Sequence, residues 1–221
     1  MIQAVIFDMD GVLVNSEPFY QQRRLNFLQE QGRDTSALPD MTGSNEKAIW
    51  ETIEPQDAAL RETLKLRYRD YQRTHPEPYA ELANPDAAPL LRQLHAQGLR
   101  IAIASSSAAD RVQAMTQALG ITPLVEQIVS GEDCPRHKPA PDVYLRTLSL
   151  LGLPAEQAVA VEDSPTGIAA ARAAGLYTYA LCPLDGSAPP RSNANAQLSR
   201  LRELWNVLQG AQRRREEPGI L

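Results

Sequence analysis

Two aspartates close an apolar run near the start of the chain, AVIFDMDG over residues 4–11, and they stand two apart as Asp8 and Asp10. Side chains two apart on an extended strand point the same way, so both carboxylates face one site if strand geometry persists to the end of the run. Three further runs lead into groups of complementary chemistry. IAIASSS (101–107) ends in Ser105, Ser106 and Ser107, EQIVS (126–130) leads into GEDCPRHKPAPD with Lys138, and AVAVED (158–163) ends in Glu162 and Asp163. Clustered carboxylates repel one another unless a cation compensates, and hard oxygen ligands suit Mg2+, which keeps waters and binds a substrate phosphate. A lysine and a hydroxyl beside it add positive charge and a donor for phosphate oxygens, and phosphoryl transfer is catalysed mainly by such positioning and charge compensation. Of the leading pair, one aspartate could attack phosphorus to form an aspartyl phosphate, and the other could exchange protons with the leaving group and then with water.

The elements that must position these groups follow from the apolar pattern. AVIFD (4–8), LRIAIAS (99–105), EQIVSGE (126–132), AVAVED (158–163) and LYTYALC (176–182) are short and mostly without alternation, which suits strands covered on both faces. Helical patterns lie between them. Asn84 is read as an N-cap with Pro85 at the first helical position and Gly98 as the stop, and Ser164, Pro165 and Gly175 repeat the scheme. Two more helices end at Gly120 and Gly152. Strand and helix alternate from residue 84 to 182, so the fold class is α/β with a doubly wound parallel sheet, whose ligands gather beyond the carboxyl ends of the strands.

The first strand is separated from the second by a stretch too long for an ordinary crossover, and that stretch reads as helix throughout, from Ser16, from Ser44 and from Pro55. The expected organisation is a catalytic core over 1–15 and 81–210, an inserted helical cap over 16–80, and a polar tail over 211–221. VNSEP and HPEPYAELANP are the linkers, the former a hinge that would let a cap open and close. The pattern LSRLRELWNVLQ (198–209) predicts a helix near the end of the chain, and Trp50 is read as part of a cap core with Ile49 and Ile53.

Composition excludes several classes. A net charge of −5 offers no general attraction for nucleic acid, and the basic run Arg213 to Arg215 is followed at once by two glutamates. No apolar stretch reaches the length of a spanning helix, so a soluble, cytoplasmic protein without a membrane partner is expected. Cys134 and Cys182 fit no metal spacing and read as two free thiols, and His75, His95 and His137 form no triad. There is no internal repeat.

The motifs FDMDGVL (7–13), ASSS (104–107), KPAPD (138–142) and VEDSPTGIAAARAAG (161–175), in this order and spacing, resemble the haloacid dehalogenase superfamily of phosphatases over nearly the whole chain. The resemblance implies a Rossmannoid core, with Asp8 as nucleophile and Asp10 as general acid and base. It also implies Ser105 and Lys138 as phosphate ligands, the amides of Met9 and Ser106 on phosphate oxygens, and a magnesium ion held by Asp8, Asp163, the backbone carbonyl of Asp10, and Glu162 directly or through water. Within the family the chain is similar to the branch with a helical cap after the first motif, which includes β-phosphoglucomutase and sugar-phosphate phosphatases.

Two positions depart from the mutase pattern. Tyr20 stands where the mutase hinge carries a histidine, and Glu46 stands where its cap loop carries an arginine. An acidic group there repels the second phosphate that a mutase must hold, although Lys47 is adjacent. Ala108 and Ala109 offer no polar group to a sugar, while Ser107 could touch one. The expected activity is therefore hydrolysis of a small phosphorylated metabolite, a sugar phosphate by resemblance, with a phosphomutase as the alternative. The cap loop TGSNEK (42–47) holds the specificity candidates Ser44, Asn45 and Lys47. A receiver-like switch uses similar residues but has no purpose for an inserted cap, and a dehalogenase has none for the strand-four carboxylates. The protein is expected to be a monomer or a weak homodimer.

Overall fold

The computed structural model describes residues 1–41, 46–183 and 193–216, the last six of these as backbone only. In chain order the elements are β1 (Ala4–Phe7), α1 (Glu17–Glu30), α2 (Glu46–Ile53), α3 (Ala58–Thr74), α4 (Tyr79–Leu82), α5 (Ala87–Ala96), β2 (Arg100–Ser105), α6 (Ala109–Ala118) and β3 (Gln127–Ser130). They continue with α7 (Asp142–Leu151), β4 (Ala158–Glu162), α8 (Pro165–Ala173), β5 (Tyr177–Leu181), β6 (Ala196–Leu198) and α9 (Glu203–Glu216). The chain forms two compact units, Met1–Asn15 with Tyr79–Leu221, and Ser16–Pro78.

Among the described residues of the first unit, six parallel strands lie in the order β3-β2-β1-β4-β5-β6. The central strands β1, β2 and β4 are buried on both faces, which is why their sequences lack alternation between apolar and polar residues. The two faces nevertheless differ in size. Val5, Phe7, Ile101, Ile103, Val159 and Val161 point to one side, where Leu90, Leu91 and Leu94 of α5, Met115 of α6 and Leu204 and Leu208 of α9 cover them. Ala4, Ile6, Ala102, Ala104, Ala158 and Ala160 point to the other, against α7 and the alanine-rich α8. Small residues on both partners let α8 lie close to the sheet, while α7 fills the space over the alanines with Val143, Tyr144, Leu148 and Leu151. Because β2 and β4 flank β1 on opposite sides, the chain reverses its winding direction at β1, and the crevice this opens lies beyond the carboxyl ends of β1, β2 and β4.

The second unit has its own core, built from Phe27 and Leu28 of α1, Ile49, Trp50 and Ile53 of α2, Leu64 and Tyr68 of α3, and Met41. Trp50 meets Tyr68 edge-on with ring centroids 5.5 Å apart, in keeping with a core role. Arg23 is buried as well, and its charge is answered by Glu77 at 3.0 Å and the hydroxyl of Tyr68 at 3.3 Å. His75 stacks on Tyr71 at 3.8 Å, a structural contact.

Several local expectations are corrected. The regular part of α5 begins at Ala87, later than the reading with Pro85 at the first position. The Asn84 side chain still accepts from the Asp86 amide at 3.1 Å, as an N-cap does, and it donates to the Val12 carbonyl at 2.8 Å, tying this turn to the segment after β1. The helix read from Pro55 starts at Ala58, because Asp57 accepts from the amides of Ala59 and Leu60 and so caps it. At the far end, Leu198 belongs to β6, and α9 starts at Glu203 and continues to Glu216, so helix extends into the stretch read as a polar tail. Among the described residues, no helix is long and apolar enough to cross a membrane.

Candidate active site

Beyond Phe7 the chain leaves the sheet through a tight turn. The carbonyl of Met9 accepts from the amides of Leu13 at 2.9 Å and Val14 at 3.2 Å, and the Gly11 amide donates to Val14 at 2.7 Å. Gly11 sits at φ +77°, and a Cβ there would lie 1.8 Å from Asp163 Oδ2. The glycine therefore serves both the turn and the seat of the Asp163 carboxylate. Asp8 is buried just past the end of β1, its amide donating to the Val161 carbonyl at 3.0 Å, which fixes it beside β4.

Lys138 reaches this point from the loop between β3 and α7. Its ammonium donates to Asp8 Oδ1 at 2.7 Å, to Glu162 Oε1 at 2.6 Å and to the Ala104 carbonyl at 3.0 Å, which uses all three of its protons. Glu162 is fully buried, and its Oε1 also accepts from the Tyr144 hydroxyl at 2.5 Å, while Oε2 faces Ser164 Oγ at 3.4 Å. Ser164 caps α8 as expected, accepting from the Gly167 amide at 3.0 Å. A Cβ on Gly167 would lie 2.1 Å from the Glu162 carboxylate, so this glycine makes the room that Glu162 fills.

Asp8, Glu162 and Asp163 thus converge, with carboxylate oxygens within 4.8 Å of one another. The carboxylate of Asp10 is not a member of that cluster; its Oδ2 accepts from Ser107 Oγ at 2.8 Å. Ser105 is buried at the end of β2, and its Oγ accepts from the Ser107 amide at 3.0 Å; Ser106 beside it is exposed. The Met9 side chain is buried in the core. Of the cap candidates, Ser44 and Asn45 lie outside the described residues. Lys47 is exposed on α2 with its ammonium 3.9 Å from Glu51. Cys134 and Cys182 are free thiols.

Three carboxylates around one ammonium leave a net negative, poorly solvated site. Burial pushes the Asp8 carboxyl well above the usual carboxylate range; Lys138 pulls it down, and Glu162, Asp163 and Asp10 push it up again. Asp163 is pushed up to about 7, by burial first and by Glu162 second. Burial also works against the Lys138 ammonium, but Asp8 and Glu162 outweigh it and raise its pKa, so the lysine stays charged. Such a set of hard oxygens with uncompensated charge fits a small divalent cation such as Mg2+.

Sequence reasoning missed Tyr144, Gly167 and Ser130. Tyr144 reads as one more apolar position of α7, and the sign that its hydroxyl has a polar partner lies only in the proximity of the KPAPD motif. Ser130 Oγ donates to the Ser107 carbonyl at 2.9 Å and supports the serine loop from β3.

The switch-point crevice with its carboxylate and lysine cluster defines an α/β enzyme that works with carboxylates. The family model described as haloacid dehalogenase-like hydrolase matches residues 5–181, and the chain belongs to that family. Among its relatives, protein CbbY of Rhodobacter capsulatus is 34% identical over 189 residues, 79% of this chain and 83% of that one. Hexitol phosphatase B of Escherichia coli O157:H7 is 30% identical over 210 residues, 92% of this chain and 94% of that one. The crystal structure of β-phosphoglucomutase from Clostridium difficile superposes with a TM-score of 0.73 at 18% identity, covering 97% of this chain and 98% of that chain, which shows the shared fold. The expected fold class, the family resemblance and the reading as a phosphoric monoester hydrolase are borne out.

Proposed function

We propose that the protein is a magnesium-dependent phosphatase that hydrolyses a small phosphorylated sugar through an aspartyl phosphate on Asp8. The observation that carries this reading is the Lys138 ammonium, which bridges Asp8 and Glu162 beside Asp163 at the end of β1. A lysine locked on the carboxylate orients it for attack and counters the charge of an incoming phosphate. The name of the relative hexitol phosphatase B supports a phosphorylated sugar or sugar alcohol as substrate.

Asp8, Asp163 and Glu162, with the Asp10 carbonyl, would hold Mg2+, which when bound neutralises phosphate charge and aligns the phosphoryl group. The chain's own residues do the rest. Ser105 and Lys138, with the amides of Met9 and Ser106, would bind the phosphate oxygens, Lys138 by exchanging one of its three present hydrogen bonds for a phosphate oxygen. A carboxylate oxygen of Asp8 attacks phosphorus, the bond to the sugar oxygen breaks, and Asp10 delivers a proton to that oxygen as it leaves. Water then attacks the phosphorus of the aspartyl phosphate, Asp10 takes its proton, and the Asp8–phosphorus bond breaks to free phosphate.

A panel of phosphosugars with Mg2+, assayed in parallel for released phosphate and for isomerised sugar, tests the reading. Phosphate release dependent on Mg2+ and abolished by Asp8→Asn is expected. Conversion of β-glucose 1-phosphate to glucose 6-phosphate with negligible phosphate release would instead establish a mutase.

A further inference from the structure

Asp10 presents a positioning problem that the sheet does not solve. β1 ends at Phe7, and Asp10 lies three residues on, in the turn that Gly11 makes. Strand geometry therefore no longer dictates where its carboxylate points, and a neighbour has to. Ser107 is one neighbour placed to do so, its Oγ donating to Asp10 Oδ2 at 2.8 Å.

Ser107 is itself held at its other polar atoms. Its amide donates to Ser105 Oγ at 3.0 Å, and its carbonyl accepts from Ser130 Oγ at 2.9 Å. Ser130 Oγ in turn accepts from the Glu132 amide at 3.1 Å. Ser105 and Ser130 are both 1% exposed and are register partners at the ends of β2 and β3. Ser107 is thus tied through two buried hydroxyls to two rigid strand ends. A serine hydroxyl has a single proton, and here it is spent on Asp10.

We propose that Ser107 is a positioning residue that aims the Asp10 carboxylate at the leaving-group oxygen. The inference rests on the reading of Asp10 as general acid and base. It assigns Ser107 a task other than the direct sugar contact its position first suggests. A carboxylate that swings loses the hydrogen-bond reach that proton transfer needs, so the effect of losing Ser107 must grow with the leaving group's need for a proton.

Substituted phenyl phosphates supply that readout without knowledge of the natural substrate. kcat/KM reports the steps through departure of the leaving group, and p-nitrophenolate departs readily without a proton whereas unsubstituted phenolate needs one. With Mg2+ present, kcat/KM is measured along this series for wild type, Ser107→Ala, Ser107→Thr and Asp10→Asn, with melting temperatures as the control for folding. Wild type should depend weakly on leaving-group basicity and Asp10→Asn steeply. Ser107→Ala should stay within about two-fold of wild type on p-nitrophenyl phosphate and fall about ten-fold on phenyl phosphate, part of what a general acid contributes. Ser107→Thr, which keeps the hydroxyl, should recover most of the loss. An equal loss of kcat/KM by Ser107→Ala along the whole series, or no loss at all, would overturn the assignment while leaving Asp10 in its role. If Asp10→Asn itself kept the wild-type slope, the acid and base reading of Asp10 would fall, and the inference with it.

Discussion

Replacing Asp163 by asparagine should stabilise the protein without a cation while removing its response to magnesium. The Asp163 carboxylate is seated against Gly11 and next to Glu162, and burial together with that neighbour moves its pKa from 3.8 to about 7. For a carboxyl whose pKa is higher in the folded than in the unfolded chain, folding carries no penalty below the lower value. Stability is then lost as pH rises toward the higher one. At about 1.4 kcal/mol per pH unit the full loss above pH 7 is roughly 4 kcal/mol, which water at the partly open edge of the site reduces to about 2 kcal/mol. In a chain of this size 2 kcal/mol corresponds to roughly 4–8 °C in Tm. Asp163→Asn keeps the shape and removes the charge. In EDTA at pH 8 it should melt several degrees above wild type, and the gap should shrink to roughly two-fifths at pH 5 and vanish only below the unfolded-state value of 3.8. Wild type should gain about 2.7 kcal/mol at a magnesium concentration 100-fold above its dissociation constant, and the variant little. Equal or lower Tm of the variant in EDTA at pH 8, or an unchanged rise with Mg2+, would refute the picture of Asp163 as an uncompensated ligand carboxylate.

Other substitutions probe the same cluster. Lys138→Met should lower kcat by at least about 100-fold and, in EDTA, destabilise the protein by roughly 3–5 kcal/mol, because two buried carboxylates lose their shared cation; denaturant unfolding with and without Mg2+ checks both the size and the partial rescue. Tyr144→Phe removes the hydroxyl that donates to Glu162 Oε1, and with Lys138 still in place should cost about 1.5–3 kcal/mol in urea unfolding. Gly167→Ala would gain about 1 kcal/mol from helix propensity in an open helix. Here its Cβ would meet Glu162 at 2.1 Å, so a net loss of about 1–3 kcal/mol with reduced kcat is expected in unfolding and turnover assays.

The strand ends were legible because their chemistry interrupts apolar runs. Asp8, Ser105, Glu162 and Asp163 each follow buried β residues, and parallel strands bring such ends to one side of the sheet. Lys138 was legible by its motif and not by periodicity, since it comes from a loop. β6 was not, because three residues on the sheet edge, Ala196–Leu198, leave too short a pattern to distinguish from a turn. Tyr144 and Gly167 escaped for another reason: each sits in a helix where apolar or small residues are unremarkable, and their roles arise only when α7 and α8 close over Glu162. The bond from Ser107 to Asp10 spans 97 positions in the chain and leaves no local trace.

Covalent capture on Asp8 tests the central claim most directly. Wild type and Asp10→Asn are mixed with p-nitrophenyl phosphate and Mg2+, quenched with acid within milliseconds to seconds, reduced with borohydride and digested for mass spectrometry. An aspartyl phosphate at Asp8 should appear as homoserine at that position, accumulating more in Asp10→Asn, which lacks the base for its hydrolysis. Phosphate release with no modification at Asp8 in either protein, or a phosphoryl group found on another residue such as Ser105, would contradict the account.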